Sequence, residues 1–470
     1  MKGAARSGAW IGFAAVFAFS WLATGTLEGP QRLTVLIATA TVLFWVFALI
    51  DKWLTGAVAV LALWASGSIG STNIAAAATH DLVLLLIIAY VISFAIRRVG
   101  LLNAIAYLVL RRPTSFSGLA CRFATLVAAT AFIIPATSAR ATMLLPIHQM
   151  LAASLPDAGM RRALALLTPS IVLLSAGGVM TGAAAHVVAL EMISISGGPG
   201  IGYWHWMVLA LPVALLTCAA AVWLILVLFL DKSGSKRRIA TSVLRPQALT
   251  RTDRAILATI AATVLLWITN GWHGVELATI GLAAALVILA LVRLKHPVSA
   301  AEIIQAVDWK ALVFLISTVL IAEALLTSGA VATIATALLR AIPVSILGSS
   351  AATIGAVGAI AILAHILLPS RSARAAILIP TMALPLSKAC HDITTLALVI
   401  VLGTGFCQLV PYGAKPLMIF AGGSASAEFQ RDLVRLGLPL LFISWSVLVA
   451  FAQFIWPLLD VFSASTGNRV

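Results

Sequence analysis

Two short blocks of this chain share the pattern Pro-x-x-Ser-Ala-Arg. Residues 135–142 read PATSARAT and residues 369–376 read PSRSARAA, and both lie in very apolar regions. A guanidinium is planar and can bind two oxygens of a carboxylate, sulfonate or phosphate at once. An ionisable group in such an apolar setting is costly and is therefore a functional candidate. The blocks predict a site for an anion.

The first turn after each proline supplies the candidate ligands. A proline breaks a helix, and the N–H groups freed at a helix N-terminus attract anions. The predicted substrate-binding residues are Ala136, Thr137, Ser138, Ser370, Arg371 and Ser372. An alternative for Thr137 and Ser138 is that they only cap a kinked helix.

The three arginines are predicted to differ in role. Arg140 and Arg374 occupy equivalent positions, so we predict structural roles for them, together with Pro135 and Pro369. Arg371 has no counterpart in the first block, and we predict that it binds the anion. The alternative is that Arg371 is a fixed charge that replaces a bound cation.

Two glycine-rich segments, 176–190 and 409–423, interrupt apolar helices. Glycine lets the backbone approach a ligand closely, so we add Gly182, Ala183, Ala414 and Lys415 to the substrate-binding candidates. The alternative role for Lys415 is an ion pair with an acidic residue.

His186 is a lone histidine in the first glycine-rich segment. It is either a hydrogen-bonded core residue or a proton carrier. Acidic residues are scarce in the apolar segments, where Glu191 and Glu323 are the main ones. This scarcity beside Arg371 and Lys415 favours an anion as the transported species.

The elements that must position these residues are membrane helices. The chain is 62% hydrophobic and 10% charged, whereas soluble proteins are about 25% charged. Long apolar stretches recur at 9–27, 32–50, 54–70, 82–96, 204–230, 255–270, 275–292, 311–328 and 433–459. We predict an all-α polytopic membrane protein without a cleaved signal peptide.

The net charge of +15 is attributed to positively charged cytoplasmic loops rather than to nucleic-acid binding. The basic segment 231–254 and the N-terminus are predicted to be cytoplasmic, in a multi-pass protein of the inner (plasma) membrane. The four cysteines have no metal-type spacing and are predicted to be core residues: Cys121, Cys218, Cys390 and Cys407. We expect no metal and no cofactor.

Matching segments in the same order indicate that the two halves of the chain are repeats. Residues 81–112 align with 308–341, the two arginine blocks align with each other, Gly182 aligns with Gly413, and 206–216 align with 433–443. The predicted division is an N-terminal helical part (1–52), a first repeat (53–230, hairpin tip 135–141), the basic loop (231–254), a second repeat (255–463, hairpin tip 369–375) and a tail (464–470).

Repeats of this kind are common in secondary transporters, and matching interrupted helices indicate the substrate site. We therefore predict two inverted repeats with re-entrant helical hairpins and about 11 transmembrane helices. A membrane enzyme is not favoured, because no catalytic cluster stands out in the sequence.

The ordered set of motifs resembles the divalent anion:sodium symporter family over roughly residues 80 to 460. In that family each hairpin tip carries Ser-Asn-Thr, which here becomes 136–138 and 370–372. The segments GAAAH (182–186) and PYGAKP (411–416) are similar to its two later helix breaks, and 298–315 are similar to the start of its second half. The resemblance implies an elevator-type carrier of a small anion that forms a homodimer.

This chain departs from the family at the sodium sites. Phe132 and Ile366 stand where the family has Ser or Thr, and both Asn positions are lost. We therefore expect weak or absent sodium coupling. The predicted function is exchange of a di- or tricarboxylate, or proton-coupled transport through His186. Transport of sulfate, sulfonate or phosphonate stays open, as does a cation/proton or arsenite-type antiporter.

Overall fold

The computed structural model describes residues 2–25, 27, 29–47, 49–112, 114–134, 136–231, 238–239, 249–332, 348–387, 391–421 and 426–459. Nearly all regular structure in these residues is helical, as predicted. One two-residue antiparallel pair joins β1 (Thr114–Ser115) to β2 (Arg238–Ile239). Pro135, Cys390, the tail 464–470 and most of the loop 231–254 lie outside the described residues.

The first half of the chain contains helices α1 to α11. Their bounds are α1 (Lys2–Ala23), α2 (Gly29–Val46), α3 (Lys52–Ala65), α4 (Ser71–Thr79), α5 (Asp81–Val99), α6 (Leu101–Leu110), α7 (Phe116–Ala129), α8 (Thr137–Ser154), α9 (Ala158–Ser175), α10 (Ala184–Ile195) and α11 (Tyr203–Phe229).

The second half contains helices α12 to α22. Their bounds are α12 (Arg251–Ile268), α13 (Asn270–His273), α14 (Leu277–Arg293), α15 (Ala300–Ala306), α16 (Trp309–Thr327), α17 (Ser350–Leu363), α18 (Arg371–Leu378), α19 (Leu384–Ser387), α20 (Ile393–Gly403), α21 (Lys415–Phe420) and α22 (Ala427–Ala450).

Six helical segments of the described residues are long and apolar enough to cross a membrane: Gly29–Val46, Asp81–Val99, Ala158–Gly178, Tyr203–Phe229, Trp309–Thr327 and Ala427–Leu459. Shorter apolar helices, including α3 and α20, lie between them. A bilayer core needs about 20 apolar residues per helix. The protein is an integral membrane protein, and the predicted total of about 11 spans stays a prediction.

The two helices that the predicted duplication pairs, α5 and α16, each have a glycine with positive φ at or just after their last turn. Helix α5 ends at Gly100, whose φ of 68° is in the left-handed region that suits glycine. Helix α16 starts at the capping residue Asp308, and its last turn is followed by Gly329 with a φ of 75°. These paired glycines are a backbone sign of the duplication that the sequence predicts.

In each half, two helices are joined by a 3-10 turn and a short segment. Helix α7 continues as a 3-10 turn (Thr130–Phe132), and α8 begins at Thr137. In the second half, α17 continues as the turn Ala364–Ile366, and α18 begins at Arg371. We call residues 133–136 the first tip and residues 367–370 the second tip, and we keep the name hairpin for each pair of helices. That these pairs are re-entrant hairpins stays a prediction.

Helices of the two halves of the chain pack against each other. Helix α10 of the first half packs on both α16 and α18 of the second, and α21 packs on α8 and α9 of the first. Cys218 and Cys407 are buried, as predicted, but Cys121 is exposed, so its assignment to the core is wrong. Cys121 lies on the outward face of α7, and sequence alone does not show which face of an apolar helix is outside.

Candidate functional site

Arg140 lies one turn into α8 and is fully buried. It donates from Nε to Thr130 Oγ1 at 3.1 Å and from Nη1 to the Val172 carbonyl at 3.1 Å. Its Nη2 donates to the Val127 carbonyl and to Ser175 Oγ, both at 2.8 Å. Arg140 thus joins α7, the 3-10 turn before the first tip and the end of α9.

Arg374, its counterpart in α18, is also fully buried but has fewer partners. Nη1 donates to the Phe406 carbonyl at 3.2 Å, and Nη2 donates to Cys407 Sγ at 3.0 Å. Within the described part of the chain, Nε has no acceptor. Both arginines therefore connect a hairpin to the helix break of the same half.

Arg371 differs from both. It begins α18, and its contacts are long, with Nε 3.4 Å from Thr404 Oγ1 and Nη2 3.4 Å from the Val401 carbonyl. Nη1 is buried and has no hydrogen-bond partner among the described residues. A buried charged donor without a partner is costly. Arg371 is thus the cation of the arginine blocks that has the most unused binding capacity.

The guanidinium of Arg371 lies between two helix breaks, which are residues 176–183 between α9 and α10 and residues 404–414 between α20 and α21. A Cβ placed on Gly177, in the first break, would be 3.8 Å from Nη2 of Arg371. A Cβ on Gly405, in the second break, would be 3.3 Å from the same atom. The second tip therefore reaches the first half, and glycine at both positions leaves room beside the charge.

The helix breaks have nearly the same backbone in the two halves. Ala183 has φ −159° and ψ 147°, and Ala414 has φ −158° and ψ 144°. A Cβ on Gly182 would be only 2.3 Å from the Ala176 carbonyl oxygen, which excludes any side chain there. The predicted interruptions are present, and each exposes backbone at the start of a new helix.

The polar residues after the two tips are capped differently. Ala136 is the N-cap of α8 and offers no side-chain acceptor, so Thr137 and Ser138 do not cap this helix. Ser370 is the N-cap of α18, and its Oγ accepts a hydrogen bond from the Ala373 N–H at 3.3 Å. Thr137, Ser138 and Ser372 are half-buried. The alternative in which Thr137 and Ser138 act only as caps is not supported.

Lys415 and His186 lie at the starts of equivalent short helices but in different environments. Lys415 is exposed and is in no ion pair with a described residue. His186 is fully buried, its ring packs on Trp206 at 4.8 Å, and Nδ1 lies 2.9 Å from the Val179 carbonyl. This contact makes Nδ1 the protonated nitrogen and favours the core interpretation of His186.

A small cavity of about 30 Å³ lies between α9, α11, α20 and α22. Its lining includes Gly177, Thr217, Gly405 and Ser444. Binding sites for small organic molecules usually measure about 300–1,000 Å³. The cavity holds about one water molecule, so this space between the helix breaks is too small for an organic anion.

The sequence analysis missed Lys52. This residue begins α3, and its Nζ donates to Ser370 Oγ at 2.8 Å. In the sequence, Lys52 is a single lysine between two apolar stretches, and such a lysine usually belongs to a loop between helices. Thr404, which accepts from Arg371, was missed as well, because a threonine near a helix end is common.

A second polar cluster lies away from the tips. His80 Nδ1 is 2.5 Å from Glu191 Oε1, and Asn73 donates to Glu323 Oε1 at 2.7 Å. All four residues line a cavity of about 200 Å³ between α4, α10 and α16. The two acids that the sequence singled out are therefore close together and are not beside Arg371.

Paired broken helices that meet beside a charged residue within a bundle of apolar helices define a membrane transporter. The sequence profile of the family described as "Sodium:sulfate symporter transmembrane region" matches residues 13–462. The chain belongs to this family, which confirms the resemblance seen in its motifs.

Curated relatives and a solved structure agree with this assignment. Two relatives, both named citrate/succinate antiporter, come from Escherichia coli K12 and O157:H7 and are each 28% identical over 306 residues. The match covers 62% of this chain and 58% of each relative, so it spans a little over half of their length. The fold is similar to that of the Alcanivorax borkumensis YdaH transporter, with a TM-score of 0.60, 14% identity and coverage of 92% of this chain and 100% of the other.

Proposed function

We propose that this protein is a secondary active transporter that exchanges small multivalent organic anions, with di- and tricarboxylates as the preferred class. The observation that carries the proposal is the buried Nη1 of Arg371, which has no acceptor among the described residues. A carboxylate can accept from Nη1 and Nη2 together and so satisfy the free donor. The citrate/succinate antiporters of Escherichia coli support the same substrate class.

The proposed binding site combines both tips and both breaks. Arg371 neutralises one carboxylate, and the uncapped N-terminus of α8 offers the N–H groups and hydroxyls of Thr137 and Ser138. Lys415, at the start of α21, adds a second positive charge. Arg140 and Arg374 hold the hairpins to the breaks and do not contact the substrate.

We further propose that the two halves are inverted repeats and that the hairpins move together with the breaks in an elevator-type motion. The N-terminus and the segment 231–254 are cytoplasmic in this proposal, and the protein is a homodimer in the plasma membrane. The matched ends of α5 and α16 support the repeat. The cavity of about 30 Å³ between the helix breaks is too small for an organic anion, which supports a site that opens when the breaks move.

The proposed exchange does not require sodium. Phe132 and Ile366 have no side-chain oxygen to coordinate the ion, and the charge of Arg371 would repel a cation bound beside the second tip. Exchange is tested with purified protein in liposomes loaded with citrate or succinate. We expect labelled citrate to enter loaded liposomes faster than empty ones, without a sodium gradient. Equal uptake into loaded and empty liposomes would exclude exchange.

A second candidate is coupling to protons or another cation through the polar cluster of His80, Glu191 and Glu323. The cavity of about 200 Å³ that these residues share favours it. The double variant Glu191→Gln with Glu323→Gln separates the candidates. Unchanged citrate exchange would remove the cation-coupled alternative, whereas loss of transport with intact citrate binding would support it.

A further inference from the structure

Lys52 contacts the second tip from outside the hairpin. Its Nζ donates to Ser370 Oγ at 2.8 Å, across 318 residues of sequence. The same oxygen accepts from the Ala373 N–H. A serine hydroxyl has two lone pairs and one proton. Both lone pairs are used here, so the hydroxyl proton of Ser370 is left to donate, and no described residue accepts it.

The position of the Lys52 ammonium is set by α3 and α16. The ammonium lies 4.4 Å from the centre of the Phe314 ring, a favourable cation–π contact. One turn along α3, a Cβ on Gly56 would be 2.7 Å from Cβ of Ser317, so the two helices are in close contact. The second tip therefore contacts the Lys52 ammonium, whose position is fixed by α3 and α16 and not by the second hairpin.

Lys52 has no carboxylate partner of its own. No ion pair of the described residues includes Lys52. The charged groups that act on it are Lys415 and Asp308, which have opposite signs. The ammonium therefore contacts the Ser370 hydroxyl as a cation that no described acid pairs with.

We propose that Lys52 is a specificity-determining residue of the anion site and that it favours a tricarboxylate over a dicarboxylate. Lys52 supplies a positive charge in addition to that of Arg371, and it polarises the Ser370 hydroxyl that donates to the substrate. An additional positive charge stabilises a trianion more than a dianion. The inference rests on the proposed anion-exchange function.

The test compares affinities for citrate and succinate at pH 7, measured by calorimetry on the purified full-length protein. Lys52→Gln is expected to weaken citrate binding about tenfold or more and succinate binding by no more than about threefold, since a charge-assisted hydrogen bond is lost. Lys52→Arg keeps the charge and is expected to retain the preference for citrate. The matched control is Lys310→Gln, an exposed lysine whose ammonium lies near the Trp53 ring instead of the tip.

The outcomes separate this inference from the proposed function. If the wild-type protein binds neither citrate nor succinate, the proposed function fails and Lys52 has no such role. If the wild-type protein binds both and Lys52→Gln changes the two affinities equally or not at all, only the role of Lys52 is refuted. Succinate binding by each variant shows that it is folded.

Discussion

The two hairpin tips share a sequence pattern but differ in how completely their charges are satisfied. After the first tip, the one arginine makes four hydrogen bonds to α7, α9 and the turn before the tip. After the second tip, Arg374 makes two contacts, and the additional Arg371 makes two long ones. The arginine after the first tip is therefore hydrogen-bonded on all three of its nitrogens and has a structural role. The second tip is followed by arginines with donors that lack an acceptor among the described residues, and it also accepts a hydrogen bond from Lys52.

This difference suggests that the two similar blocks have different roles, one structural and one in anion binding. A repeat keeps the residues that hold each hairpin to its helix break, and both copies keep an arginine for this purpose. In the proposed function, the charge that only the second block carries, Arg371, makes the second tip the centre for anion recognition. The predictions that follow test this division, from the largest expected effect to the smallest.

Replacement of Arg371 by alanine is expected to abolish anion binding, with the dissociation constant for citrate rising about 100-fold or more, because a bidentate charged contact is lost. The measurement is calorimetry with citrate on the purified variant. Arg122→Ala is the control, since Arg122 lies in the first hairpin and donates only to the Arg112 carbonyl. An unchanged affinity would make Arg371 a structural residue.

Arg140→Met is expected to destabilise the protein more than Arg374→Met does. The first change leaves the buried acceptors Thr130, Val127, Val172 and Ser175 without this donor, at roughly 1–3 kcal/mol for each group left unsatisfied. Thermal unfolding in detergent measures the difference, which we expect to be several degrees. Equal losses would show that the two arginines are equally structural.

Ser370→Ala is expected to weaken citrate binding about tenfold, and Ser138→Ala by no more than about threefold, because Ser370 belongs to the charged tip. Calorimetry with citrate compares the variants with Thr142→Ala, an exposed hydroxyl further along α8 that donates to the Ala139 carbonyl. A larger effect at Ser138 would shift the centre of recognition to the first tip.

Sodium is expected to change citrate affinity by less than about twofold between sodium and choline buffers of equal ionic strength, since a cation beside Arg371 is repelled. A thermal-shift titration of citrate in the two buffers measures it, because a ligand stabilises the state that it binds. Strong sodium dependence would contradict the interpretation of Phe132 and Ile366 and would give the two tips more similar roles.

Asp253→Asn provides a reference for an ion pair remote from both tips. Burial alone would raise the pKa of Asp253, but its hydrogen bonds with Lys295 and Thr250 outweigh this and lower the pKa below the ordinary value. The pair therefore stabilises the fold above the ordinary pKa of about 4, and the gain disappears as pH falls through the lowered value. We expect a loss of about 1–2 °C at pH 7, little loss near pH 3, and unchanged citrate affinity.

Much of the architecture could be predicted from the sequence, because apolar length, proline and glycine act locally. The membrane class follows from recurring apolar stretches. The helix interruptions follow from Pro369, Gly182 and Gly413, because proline lacks an N–H and glycine lacks a side chain, which limits the local backbone conformations. The predicted burial of Cys218 is confirmed, whereas the predicted burial of Cys121 is wrong. Which face of an apolar helix is exposed depends on the helices that pack against it, and the local sequence does not show this.

The sequence by itself determined the family, the two tips and the unmatched position of Arg371. Only the tertiary structure decided that Arg140 is saturated, that Nη1 of Arg371 is unpartnered and that Glu191 lies beside His80 rather than beside an arginine. It also brought Lys52 to Ser370 across 318 residues of sequence. The physical reason is that periodicity and composition act over neighbouring residues, whereas the pairing of charges depends on which helices pack together.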